Sequence, residues 1–226
     1  MKEKEKSEPV KKEENISKKD KQVHRIIFTM VAVIGVFIVF YFIFNSLQAF
    51  KYNGLSFTKE KFGEIPVFHH YYNFDIEGKL IKYNLYLRND PRTNNVPITG
   101  EAIDEGIEFR RDNTVYVSVS PKGLDECEYS RVGISNLALF LADNQLNVKG
   151  ASPNEDLAKE SNIVYATCDT HSNDVVILIR SGEETEIIHE KNNCYIIQIA
   201  NCQVLEAIEK FQVQSILDAR ERRQSQ

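Results

Sequence analysis

Four cysteines, one Cys-x-x-His step and a run of aromatic and imidazole side chains are the groups in this chain with chemistry to offer. Cys127, Cys168, Cys194 and Cys202 all follow a long apolar stretch, and none precedes it. An even number of thiols on one side of such a stretch reads first as disulfides in an oxidising compartment. Cys194 and Cys202 flank an expected strand over 195–199, which holds them about 25 Å apart, too far to bridge. Cys168 and Cys194 fall at one end of an expected antiparallel meander, so the expected bridge is Cys168–Cys194. Its loop is worth about 3 kcal/mol in the chain-entropy picture. Cys127 and Cys202 remain, as a second bridge or as free thiols.

Thiol redox chemistry wants a C-x-x-C pair or a thiol at a helix start. No C-x-x-C occurs, and only Cys202, just ahead of the last expected helix, has the second placement. Cys168-Asp169-Thr170-His171 has a spacing that suits zinc, but no second half accompanies it. His69 and His70 are strand neighbours and must point to opposite faces. There is no G-x-S-x-G, H-E-x-x-H, P-loop or G-x-G-x-x-G motif. Glu183 and Glu184 sit in a turn, where carboxylates are solvated. No catalytic residue, metal or cofactor is therefore assigned. The aromatic run at 68–74 is the strongest candidate for recognition: alternate members of a strand face away from the core, and Phe68, His70 and Tyr72 are expected exposed, as an interface.

What positions these groups begins with residues 26–44, IIFTMVAVIGVFIVFYFIF, which carry no charge and no proline. As a helix they span about 28 Å, the thickness of a bilayer's hydrocarbon core. Aromatic residues crowd the exit of this run, and no small-x-small cleavage pair follows, so residues 26–49 read as an uncleaved signal-anchor rather than a signal peptide. The preceding tail, residues 1–25, holds Lys2, Lys4, Lys6, Lys11, Lys12, Lys18, Lys19, Lys21 and Arg25. These flanking cations place the N-terminus in the cytoplasm and the rest outside, a single-pass arrangement in the cell membrane. So polar a tail buries too little apolar surface to order itself and is expected to be disordered.

The whole chain has net charge −5; the tail contributes +3, so the part from Lys51 onward carries −8. An acidic domain without a basic stripe repels phosphate backbones, which excludes nucleic acid as a partner. Residues 50–66 read as a stalk, and residues 67–226 as one domain.

Within that domain, residues 67–74 and 80–88 form an expected hairpin, with Ile81, Tyr83, Leu85 and Leu87 on one face. Residues 89–113 are a turn-rich, poorly patterned loop. A strand follows at 114–119 and a helix from Ser130. Asn154 caps a short helix. Four short strands are expected at 163–167, 175–180, 186–189 and 195–199, the last three joined by tight turns as an antiparallel meander, and an amphipathic helix through Ile216 follows, ending in Arg220, Arg222 and Arg223. The expected fold is α+β: an antiparallel sheet with helices packed on one face.

The runs YNLYLRNDPRTNNVPITG (83–100), FLADNQLNVKG (140–150) and NCYIIQIANCQVLEAIEKF (193–211) resemble stretches of an archaeal family of single-pass, membrane-anchored proteins with small cysteine-containing ectodomains. The resemblance implies a compartment and transfers no catalytic residue. Together these features lead to the expectation of a non-enzymatic, membrane-tethered module that displays a disulfide-braced domain to a protein or glycan partner. The contact region would be the aromatic hairpin with the 89–113 loop. The alternative is an envelope thiol-redox or metal-dependent enzyme using Cys127 or Cys202.

Overall fold

The computed structural model describes residues 11–76, 78–110, 112–190 and 193–225. They fall into two compact units, 1–49 and 50–226. The first is one long helix, α1 (Lys11–Gln48). Its segment Lys21–Ile43 is long and apolar enough to cross a membrane, judged by length and composition. The described part of the tail is helical, where the sequence suggested disorder. Its lysines and glutamates are good helix formers, and the helix already formed by the apolar run extends into them without a new nucleus. Residues 1–10, the remainder of that expectation, lie outside the described residues.

The second unit is α+β with two sheets rather than one. The smaller sheet has the order β1-β2-β3-β4, from β1 (Ala49–Tyr52), β2 (Leu55–Phe62), β3 (Ile65–Ile76) and β4 (Lys79–Leu87). The stretch read as a stalk is thus largely sheet: β2 pairs antiparallel with β3, and its Leu55 and Phe57 are core residues. Two inward residues are too few for alternation to announce a strand amid the charges of Lys59, Glu60 and Lys61.

The larger sheet runs β5-β10-β11-β9-β6-β7-β8. Its strands are β5 (Ile98–Thr99), β6 (Thr114–Val119), β7 (Asn147–Ser152), β8 (Val164–Tyr165), β9 (Val175–Ser181), β10 (Glu186–His189) and β11 (Cys194–Ile199). Helix α2 (Ser130–Asp143) connects β6 to β7, and α3 (Glu155–Glu160) connects β7 to β8. Among these pairs only β10–β11 is antiparallel; β11–β9, β9–β6, β6–β7, β7–β8 and β10–β5 are parallel. This corrects the expected antiparallel sheet: β11 does not merely extend a meander but inserts beside β9, leaving β10 outside. The reason is burial. β9 is apolar on both faces, and such a strand belongs in the middle of a parallel sheet.

Alternation along β6, β9 and β11 divides the interior. Val115, Val117, Ile177, Ile179, Tyr195 and Ile197 point into the main core. There they meet Leu137, Phe140 and Leu141 of α2 and Ile208 and Phe211 of α4 (Val204–Gln224), together with Phe57, Phe68, Leu85 and Leu87 of the small sheet. Each such fully buried side chain stabilises by about 1.5–3 kcal/mol. On the reverse face, Tyr116, Val176 and Ala151 pack under Ala166 and Cys168 of the loop that follows β8.

The 89–113 segment, expected as a free contact loop, is tied down by two buried carboxylates of α4. Glu209 accepts from the backbone N–H of Arg88 (2.6 Å) and Asn89 (3.0 Å) and from Asn89 Nδ2 (2.9 Å). Asp218 accepts from the N–H of Ile107 at 2.6 Å. Such contacts supply the partners that the irregular stretches on either side of β5 need, and they leave no periodic trace in sequence.

Candidate functional site

The cysteines close two bridges. Cys168 and Cys194 are bonded across 26 residues, and Cys127 and Cys202 across 75. Cys168 meets Cys194 because β9 and β11 are parallel neighbours whose starts share one end of the sheet. A meander would have placed the two cysteines together as well, so this pairing survives the change of topology. The second bridge clamps the loop after β6 to the turn after β11, where Asn201 and Cys202 both hold positive φ (51° and 57°). His171, the other half of the Cys-x-x-His step, packs on Tyr116 (4.4 Å between centroids) and pairs with the Thr170 hydroxyl. The Cys168 and Cys194 sulfurs lie near the Glu190 carboxylate, but both are spent on the bridge.

Strand β3 sorts its aromatic run opposite to expectation. Phe68 and His70 are buried, each 7% exposed, and Tyr72 is half-buried. The register decides this: His70 faces Leu85 and Phe68 faces Leu87, so all three lie on the inner face. The outer face carries His69, Tyr71 and Tyr86 instead, with Tyr71 55% and Tyr86 45% exposed. His69 stacks on Tyr86 at 4.5 Å, and the Lys82 ammonium lies 4.0 Å over the Tyr71 ring.

The inward turn of His70 and Tyr72 makes them the wall of a cavity of about 530 Å³, between β3, the end of α2 and the last turns of α4. This falls in the range of small-molecule sites. Apolar contacts come from Leu55, Phe74, Phe109, Phe140, Leu146 and Ile216. Polar side chains are as numerous in the lining, and several are fixed. The Tyr72 hydroxyl donates to Asn144 Oδ1 at 2.8 Å, and Asn144 Nδ2 in turn donates to Phe140 O at 2.7 Å. Burial raises the Tyr72 pKa, so the phenol stays protonated.

His70 Nδ1 lies 2.8 Å from the Ser56 carbonyl, to which it must donate, while Nε2 is buried without a protein partner. Burial lowers this imidazole's pKa, which keeps it neutral with Nε2 as a lone-pair acceptor. Arg220, Arg222 and Arg223 complete the lining, and no carboxylate belongs to it. Arg220 Nη2 donates to Asn53 O and Arg222 Nη2 to Ile107 O, both neutral acceptors; Arg220 Nε is buried and unpartnered. From sequence the three arginines read only as complements to a helix dipole. Their i, i+2, i+3 spacing does not reveal the strand that packs across them.

The cavity can bind and orient; among the described residues Ser215 Oγ is committed to Gln212 O and His70 Nδ1 to Ser56 O, so these two do not form a nucleophile–base pair with each other. No protein-family model, no curated protein and no solved structure matches this chain.

Proposed function

We propose that this protein is a membrane-anchored, extracytoplasmic binding module that holds a small molecule in the cavity between β3, α2 and α4. Lys21–Ile43 would cross the bilayer, and the cations before it would keep the N-terminus in the cytoplasm. The two disulfides suit an oxidising exterior and brace the domain. They also use all four thiols, which counts against the alternative of a redox or metal enzyme working through Cys127 or Cys202.

The observation that carries this reading is a roomy, mostly apolar cavity with a buried imidazole nitrogen left unpartnered at its wall. An orphaned buried acceptor costs about 1–3 kcal/mol, which a ligand donor recovers where the ring shifts to bring this nitrogen to the cavity surface. The test is native mass spectrometry of the full chain released from its own membranes. A bound small molecule is expected, and its loss on Ala219→Trp, which fills the cavity from α4. The same bound increment on both proteins, or none on either, would refute the reading.

A second mode is favoured by the outer face of the small sheet, where Tyr71, Tyr86 and His69 form an aromatic platform for a protein or glycan partner. Alanine at Tyr71 and Tyr86 should abolish binding to envelope components; undiminished binding would remove this mode.

A further inference from the structure

We infer that the ligand of this cavity is an anionic amphiphile: one carboxylate or phosphate head held by Arg222 and Arg223 beside Arg220, with an apolar body along Phe74, Phe109, Phe140 and Ile216. The inference rests on the cavity being a binding site and adds the chemical class.

Charge is the first argument. The domain from Lys51 onward carries net −8, yet the cavity is lined by three guanidinium groups and no carboxylate. Among the described residues Arg220, Arg222 and Arg223 make no ion pair, and the bonds of the first two go to backbone carbonyls, so none of the three is paired with a carboxylate. Three acids act nearby, Asp143 on Tyr72 and Tyr83, and Glu108 and Asp218 together with Arg222 on Tyr195, and all three stand outside the lining. Arg223 is exposed and solvated, whereas Arg220 and Arg222 are half-buried, so an anion meets two partly desolvated guanidinium groups and one at the mouth, through charge-assisted hydrogen bonds about twice as strong as neutral ones.

Shape is the second argument. A bare inorganic anion needs no cavity of about 530 Å³ and gains nothing from an aromatic wall. A neutral sugar would want several acceptors, but Asn144 Oδ1 already takes the Tyr72 hydroxyl. A cation would meet three like charges. An amphiphilic anion uses both halves.

The orphaned nitrogens are the third argument. His70, 7% exposed, has Nε2 without a partner, and Arg220 has Nε without one. Native proteins seldom leave such atoms so, and both belong to residues that line this one cavity. With Nδ1 held by Ser56, Nε2 is left as a buried acceptor just behind the cavity wall, where a small shift of the ring would let it accept a hydrogen bond from a ligand hydroxyl or water.

The test is calorimetry on the full chain in nanodiscs of zwitterionic lipid, with empty nanodiscs subtracted. The probes are decanoate, decanol, decylammonium and inorganic phosphate. Decanoate should bind at least tenfold more tightly than each of the others, and Arg223→Gln should weaken decanoate at least fivefold while leaving decanol unchanged. Arg222→Gln also loses the Ile107 bond, so Arg223→Gln, which breaks no such contact, is the deciding variant. Competition from nanodiscs containing anionic lipid would identify a membrane lipid as the source of the head group; its absence would identify a free amphiphile. Either result supports the class.

Decanol or decylammonium binding as well as decanoate would overturn the class while leaving the cavity a binding site. Phosphate matching decanoate would overturn the apolar half. No binding by any probe would overturn the inference, and the native mass measurement then decides separately whether the cavity is occupied at all.

Discussion

A Cβ on Gly54 would stand 2.6 Å from Nη2 and 2.7 Å from Nη1 of Arg220. The turn between β1 and β2 therefore lies flat against the guanidinium, and only a residue without a side chain permits it. Gly54 also holds φ at +79°, a left-handed conformation that costs other residues about 1 kcal/mol or more. Gly54→Ala is expected to push Arg220 from the cavity wall, destabilise the domain by about 1–2 kcal/mol and weaken anion binding about tenfold. Denaturant unfolding and a binding isotherm on the same variant check both effects; unchanged affinity would show that Arg220 takes no part.

Glu209 should impose a pH dependence on stability. Burial pushes its carboxyl up to about 7, against the N–H donors of Arg88 and Asn89 that favour the charged form. The folded state then holds this proton more tightly than the unfolded chain does. The stabilisation is full below the unfolded carboxylate pKa and is lost as pH rises from about 4.5 to about 7, at most about 3 kcal/mol. Unfolding free energies of the native chain and Glu209→Gln at pH 5 and pH 7.5 test the sign. The native chain should lose stability relative to the variant as pH rises; a constant difference would contradict it.

The disulfides should differ in worth. Replacing Cys127 and Cys202 by alanine opens the longer loop and should cost about 4 kcal/mol, against about 3 kcal/mol for Cys168 and Cys194. Alkylation of the denatured, unreduced chain should label no thiol. Two labelled cysteines would remove one bridge and reopen the redox reading.

Orientation is testable on intact cells. Protease added outside should digest the part that follows α1 and spare an epitope fused before Met1. Protection of the domain would reverse the topology.

Much of this fold is visible in sequence, and the failures have physical causes. Asn154 announces its helix by accepting from the N–H groups of Asp156 and Leu157, a local event that local sequence encodes. The limits of β10 and the strand 114–119 follow from short apolar runs between turn formers. The order of β9, β10 and β11 does not, because the placement of β11 beside β9 is decided by burial across the whole sheet. The doubly buried run Val175–Ile177 of β9 was the available signal for a central strand.

Tyr72 and His70 illustrate a subtler case. Both faces of β3 carry aromatics, so alternation alone cannot tell inside from outside. The phase was nonetheless readable from β4: a tight turn pairs Ile76 with Lys79, and counting back places His70 opposite inward-facing Leu85. No comparable count leads to the arginines, whose common cavity exists only once β3 lies beside α4.

The most direct measurement uses the absence of tryptophan from this chain. Phe109→Trp puts one fluorophore in the cavity wall of the full protein in zwitterionic nanodiscs. Titration with decanoate should then give a saturable emission change that Ala219→Leu, which narrows the same cavity, weakens severalfold. Emission that does not saturate, or that is indifferent to the narrowed cavity, would mean the ligand binds elsewhere or not at all, and the cavity would not be the functional site.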